Sequence, residues 1–367
     1  MGPKGNWKGR ADVAEQAGVM DIKSVPEAIE WQARHAEEGG APNTARVIRG
    51  LLAVLESDTA TGRRMAGWAG LTLNDAMPLR INGGLLNLVL TRADSRLGAV
   101  YGGELTDQNA IDALVRDVVE RFDAWLLPWL DGPPQTNEAG RSANVMAGLL
   151  WLAQRVPARF EMLELGASAG INTMMNRYFY DLGEVRVGPR SSLMQIVPEW
   201  RGAPPPAGPV EITSIRGCDV APVDLTDPAA VVMLKSYVWP EARARMQRID
   251  AAAALARSAP PLVAAQDAAA FVEAALAQPQ AGGQCRVLFH SIVWQYIPDD
   301  QRARIISAME TAAAQASADR PLAWITLETN RATFRHELHV RHWPGGGEAQ
   351  LLACAHPHGA WVEWLAG

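Results

Sequence analysis

Phe160-Glu161-Met162-Leu163-Glu164-Leu165 is a short apolar run that passes directly into Gly166-Ala167-Ser168-Ala169-Gly170-Ile171-Asn172. A buried strand that ends in small residues predicts a tight turn opening a helix, because glycine lets the backbone reverse where a Cβ would block it. The same alternation recurs downstream. Strand candidates at Val210–Arg216, Pro261–Ala265, Arg286–His290 and Leu322–Glu328 are mostly separated by helical patterns, notably at Asp227–Arg257, Ala268–Ala277 and Asp299–Ala316. Strands alternating with helices predict a parallel α/β sheet. The last two candidates, Phe334–Trp343 and Gln350–Ala355, flank Pro344-Gly345-Gly346-Gly347, which predicts a hairpin and an antiparallel end to the sheet. Residues 181–209, with Ala203-Pro204-Pro205-Pro206, read as an irregular insertion.

Ahead of the turn the pattern is different. From about Asp12 to Leu130 the apolar residues repeat at helical spacing, as in Val47, Leu51, Leu52, Val54 and Leu55, or Ile111, Leu114, Val115, Val118 and Val119. Thr106 or Asp107 caps the second of these helices, and Pro128 with Gly132-Pro133-Pro134 ends it. A further helix is expected over Ser142–Gln154. The predicted fold is α/β: an N-terminal all-helical domain over residues 1–155, then a Rossmann-like, mostly parallel core over residues 156–367 with seven strands, ending in an antiparallel hairpin.

Composition narrows the function classes. Among 367 residues, 34 Lys and Arg face 40 Asp and Glu, for a net charge of −6, which argues against a protein that tracks nucleic-acid phosphates. Three scattered cysteines do not make a disulfide framework and fit a reducing compartment. No apolar run approaches the ~18–20 residues that span a bilayer, and the charged start of the chain has no apolar stretch behind it. The expectation is a cytoplasmic protein with a small-molecule partner, neither nucleic acid nor membrane.

Three readings compete for the turn. Glu164-x-Gly166-x-Ser168-x-Gly170 resembles the first motif of S-adenosylmethionine-dependent methyltransferases, with Ser168 in place of the middle glycine. That resemblance implies S-adenosylmethionine held by Glu164, Gly166, Ser168, Gly170 and Asn172. It also implies ribose contacts from Asp219 after the second strand, an adenine contact from Asp267 after the third, and His290 at the end of the fourth, facing the transferred methyl. Gly166-Ala167-Ser168-Ala169-Gly170 also satisfies G-x-S-x-G, the elbow of a serine hydrolase, with Asp267 and His290 or His356 as partners. Against this, the preceding 155 residues read as helices rather than strands. The third reading is a tight structural turn that binds nothing.

A wider resemblance rests on several segments together: Leu79-Arg80-Ile81-Asn82-Gly83-Gly84-Leu85, Gln135-Thr136-Asn137-Glu138-Ala139-Gly140-Arg141-Ser142, the Glu164–Asn172 turn, Gly217-Cys218-Asp219-Val220-Ala221-Pro222-Val223-Asp224-Leu225, Val238-Trp239-Pro240-Glu241 and Phe289-His290-Ser291. On these the chain resembles, over nearly its whole length, an uncharacterised bacterial family known as domain of unknown function 2332. The likeness bears on architecture and carries no substrate with it.

The polar cluster Gln135-Thr136-Asn137-Glu138 sits between a proline-rich break and a helix, so Thr136 or Asn137 caps and Glu138 occupies the favourable first turn. Its functional reading places Gln135, Asn137 and Arg141 against substrate, with Tyr178 walling the pocket, although packing explains Tyr178 as well. His290 or Glu138 would accept a substrate proton. His336, His339 and His342, with His356, His358 and Cys354, invite a metal reading. Strand alternation separates His339 from its neighbours, so half-buried sheet histidines are the expectation and no metal is predicted. The arginines of Asp227–Arg257 read as a solvated helix face. The leading function is methyl transfer from S-adenosylmethionine to a small molecule. A binding or regulatory protein that kept the fold without the chemistry is the alternative, and a serine hydrolase is the third.

Overall fold

The computed structural model describes residues 22–69 and 76–366, and the helical expectation for residues 12–21 lies outside them. The described residues group into two compact units: residues 22–136 with 227–250, and residues 137–226 with 251–366. Among them no helix is long and apolar enough to cross a membrane.

The first unit is helical. Its main helices run over Val25–Glu38, Pro42–Val54, Met77–Leu90 and Gln108–Arg121. The three- and four-residue spacing read from the sequence becomes one core, in which Ile29, Ile48, Leu51, Ile81, Leu85, Val115 and Val118 are fully buried. Asp107 caps Gln108–Arg121, its side chain accepting the Ala110 amide at 2.9 Å. The helical pattern expected over Asp227–Arg257 divides into Pro228–Ser236 and Arg243–Ser258. Pro240 lies in the break, where it lacks an amide donor and disfavours helical backbone in the residue before it. Glu241 follows. Its Oε1 accepts the Asn43 and Thr44 amides at 3.0 Å each and its Oε2 the Thr44 hydroxyl at 2.7 Å. A carboxylate nearly two hundred residues away thus caps Pro42–Val54, whose own preceding residue, Ala41, has no side chain able to do so.

The second unit is built on a mixed sheet of nine strands. They are β1 (Arg159–Leu165), β5 (Glu199–Arg201), β6 (Glu211–Asp219), β7 (Val263–Ala265), β8 (Cys285–Ser291), β9 (Leu322–Thr329), β10 (His336–Trp343), β11 (Gly346–Ala355) and β12 (Trp361–Trp364), in the order β5-β12-β11-β10-β9-β8-β1-β6-β7. Strands β7, β6, β1, β8 and β9 are mutually parallel, and β10 and β11 form the expected antiparallel hairpin. The expected seven strands become nine through β12, antiparallel to β11, and β5, which joins β12 in parallel. The stretch read as irregular, 181–209, supplies β5 and also β3 (Val185–Val187) and β4 (Gln195–Ile196), which flank β2 (Phe179–Leu182) in a second small sheet. Strands of two or three residues leave too few alternations to be read from a sequence.

The helix Ser142–Leu152 has every residue buried and packs against β2, β9, β10 and β11. That accounts for its apolar composition on all sides. On the sheet, Leu163, Leu165, Leu288 and Leu322 meet Ala269, Val272, Ile305 and Met309 of Ala268–Leu276 and Asp299–Ala313.

Candidate functional site

Numbered along the chain, the parallel strands have the order 3-2-1-4-5, so the sequence direction reverses about β1, with β6 on one side and β8 on the other. In open α/β sheets ligands bind outside the carboxyl ends of the strands at such a reversal. Glu164, Asp219, His290 and Glu328 stand at the carboxyl ends of β1, β6, β8 and β9 respectively.

The turn after β1 is tied down on both sides. Ala167 donates its amide to the Cys218 carbonyl at 2.9 Å, Ser168 donates its amide to Asp219 Oδ2 at 2.9 Å, and the Ser168 carbonyl accepts the Val223 amide at 3.2 Å. Gly166 has φ +63°, and a Cβ there would lie 2.2 Å from Val293 Cγ2. Gly170 has φ +71°, and a Cβ there would lie 2.7 Å from Pro261. Both glycines are therefore required by neighbouring protein atoms as well as by the backbone path. Ser168 itself has φ +51°, a conformation uncommon outside glycine. No α-helix opens behind the turn: Asn172–Arg177 is a 3₁₀ turn. Tyr178 curls back so that its hydroxyl donates to the Ile171 carbonyl, occupying an acceptor that a regular helix would use.

Glu164 is 2% exposed and accepts the Thr173 hydroxyl at 2.6 Å. Burial pushes its carboxyl up to about 8; hydrogen bonds from Thr173 and Asn172 pull the other way and the Asp219 charge adds to the rise. At neutral pH the group is thus mostly protonated. Asp219 spends both oxygens on its own surroundings, Oδ2 on Ser168 and Oδ1 on the Ala221 amide at 2.9 Å, although each carboxylate oxygen has a second lone pair. Asp267 caps the helix Ala268–Leu276 by accepting the Ala270 amide at 2.9 Å.

His290 is 2% exposed at the end of β8. Its Nδ1 lies 2.6 Å from Glu328 Oε1, which also accepts the Val293 and Trp294 amides at 3.1 and 3.3 Å. The imidazole stacks on Trp294 with centroids 5.0 Å apart and meets the edge of Trp324 at 6.0 Å. Glu328 and Trp294 were not singled out from the sequence. The signal for Glu328 was present in its position, at the end of a strand candidate on the same edge as His290.

The polar cluster before Ser142–Leu152 acts differently from the expected cap. Glu138, not Thr136 or Asn137, caps the short 3₁₀ turn Ala139–Arg141, with its carboxylate accepting the Gly140 amide at 3.3 Å. Asn137 Oδ1 accepts the Ile171 amide at 2.8 Å and so joins this segment to the turn after β1. Arg141, 7% exposed, donates to the Pro357 carbonyl at 2.9 Å and the Ser291 carbonyl at 3.2 Å. Gln135 falls in the helical unit, while Asn137, Glu138 and Arg141 fall in the α/β unit. Tyr178 is fully buried against the chain's own backbone.

Among the described residues of the α/β unit, the buried polar atoms that lack a hydrogen-bond partner include Ser168 Oγ, Asn172 Oδ1, His290 Nε2, Trp324 Nε1, His342 Nδ1 and both side-chain polar atoms of Asn144. Such atoms are few in folded proteins and each calls for a partner, a water or a ligand. Ser168 and Asn172 follow β1 and His290 lies at the end of β8, the two strands that flank the reversal. Among the described residues no group of three or more His, Cys, Asp or Glu side chains is arranged to hold a metal. His336 pairs in register with Ala355, beside His356, and its imidazole is pulled down to about 4 by burial, then by the Arg141 and His356 charges.

A family model described as an uncharacterized protein conserved in bacteria, DUF2332, matches residues 26–364. The chain belongs to this family. No curated protein and no solved structure matches it. For a DUF2332 chain the site chemistry must accordingly be read from the residues themselves.

Proposed function

We propose that the DUF2332 α/β unit binds S-adenosylmethionine at the reversal about β1 and transfers its methyl group to a small molecule. One observation carries the reading. An acid-ended central strand, Glu164, runs into a positive-φ turn at the reversal of a 3-2-1-4-5 parallel sheet, beside side chains whose buried polar atoms are unpartnered. The residues fit such a ligand. Asn172 Oδ1 is an acceptor and Ser168 Oγ either donates or accepts, while the ligand offers an ammonium, two ribose hydroxyls and an adenine amine as donors. Bound, it supplies an electrophilic methyl on a sulfonium.

The chain's own residues do the rest. Gly166 and Gly170 give the turn its path, Ser168 and Asn172 meet the ligand, and Asp219 takes hydroxyls on its remaining lone pairs. Glu164, neutral in the free protein, recovers its charge beside an ammonium, because an opposite charge favours the ionised form. Asp267 serves the helix it caps and contributes position more than contact. His290 accepts the proton of the attacking group; Glu138 is the less suited acceptor, since its carboxylate caps a turn. The rate gain would come chiefly from holding the nucleophile close to the methyl donor.

Isothermal titration of the full chain with S-adenosylmethionine, and separately S-adenosylhomocysteine, tests the proposal. Micromolar binding of both is expected, weakened at least tenfold by Asp219→Asn with an unchanged circular dichroism spectrum. Folded wild-type protein that binds neither compound refutes the reading.

A serine hydrolase is the second reading, favoured by the positive φ of Ser168 and the His290–Glu328 pair. The partners differ from those the sequence pointed to, since Asp267 caps a helix and Glu328 holds the imidazole. Ser168 Oγ and His290 Nε2 are each unpartnered and so do not bond one another. Labelling of Ser168 by a fluorophosphonate would promote this reading over methyl transfer.

A further inference from the structure

We infer that Glu328 is a positioning residue that locks His290 in the tautomer with its proton on Nδ1, leaving Nε2 as a bare acceptor. The argument starts at one oxygen. Glu328 Oε1 is approached by three nitrogens, the Val293 amide at 3.1 Å, the Trp294 amide at 3.3 Å and His290 Nδ1 at 2.6 Å. Two of these are obligate donors, so the oxygen is an acceptor, and the third contact closes only if Nδ1 also donates. A neutral imidazole with its proton on Nδ1 has its lone pair on Nε2. That nitrogen is buried and has no hydrogen-bond partner among the described residues.

The ring has little freedom to escape this state. Trp294 stacks on one face at an interplanar angle of 16°, and Trp324 meets it edge-on at 66°. Glu328 is fixed in turn by the two backbone amides of the segment after β8. The direction of the orphan atom defines what it takes. A bare imidazole nitrogen pairs with a hydroxyl, amine or ammonium and rejects a carbonyl or carboxylate, which offers only lone pairs. A substrate group presented to the neutral His290 ring therefore carries a hydrogen to give. Its use as the proton acceptor rests on the methyl-transfer reading above, whereas the tautomer stands on geometry alone.

The test is ¹⁵N NMR of the full chain labelled at histidine, with His290 identified by the signals lost in His290→Gln, recorded where the ring is neutral. The expected spectrum has a protonated, pyrrole-type Nδ1 and an unprotonated, pyridine-type Nε2. Glu328→Gln keeps an acceptor oxygen and is expected to retain that pattern. Glu328→Ala is expected to give a mixture of tautomers. A wild-type spectrum with the proton on Nε2 overturns the inference, and so does a folded Glu328→Ala protein that keeps a pure Nδ1–H form. If Glu328→Ala does not fold, the wild-type spectrum still decides. No cofactor is needed, so failure to bind S-adenosylmethionine and failure of the tautomer assignment are separate results.

Discussion

Replacing Glu164 by Gln removes a titrating carboxyl from the end of the central strand while keeping its shape and its neutral hydrogen bonding. In the folded protein burial lifts this carboxyl from its ordinary 4.5 to about 8. The folded chain therefore holds a proton that the unfolded chain releases between those two pH values. Unfolding gives up that proton, so stability is fully present below about 4.5, falls as pH rises towards about 8, and is flat beyond. At ~1.36 kcal/mol per pH unit the whole interval amounts to roughly 3–5 kcal/mol. Glu164→Gln is neutral throughout and can still accept the Thr173 hydroxyl, so its stability lacks this component. Urea unfolding of both proteins at pH 5, 6, 7 and 8 measures it. The variant is expected to gain on the wild type with each step, by a midpoint difference of roughly 1–2 M at pH 8 if the urea dependence is ~2–3 kcal/mol/M. A difference that stays constant from pH 5 to pH 8 would refute a buried, neutral Glu164.

Two further substitutions test the local arguments. Gly166→Ala places a Cβ 2.2 Å from Val293 Cγ2 at a backbone φ of +63°. A loss of about 2–4 kcal/mol in denaturant unfolding is expected from the combined strain and overpacking, and a loss below ~0.5 kcal/mol would mean that the turn relaxes freely. Glu241→Ala deprives the helix Pro42–Val54 of the acceptor for two amides and a hydroxyl. It is expected to cost about 1–3 kcal/mol, read as a lower thermal midpoint, with Glu241→Gln recovering part of it; an unchanged midpoint would show the cap to be replaceable by water.

Elements whose signal is local and long were legible in the chain. Helical spacing fixed the faces of Pro42–Val54 and Gln108–Arg121. Short apolar runs between helical patterns marked the strands β1, β6, β8 and β9, and alternation marked β10. The glycine turns marked the strand end at Glu164 and the hairpin at Pro344–Gly347. These follow from periodicity and backbone freedom, which neighbouring residues carry among themselves. Tertiary structure alone decided the contacts that join distant positions. It gave the cap of one helix to Glu241, gave the His290 imidazole to Glu328 rather than Asp267, and recruited the three-residue β5 to the sheet edge. It also decided that Glu164 is uncharged at neutral pH, because burial is a property of everything packed around a carboxyl. A hydrogen bond between residues separated by forty or two hundred positions leaves no periodic trace in the chain, so only the fold can show it.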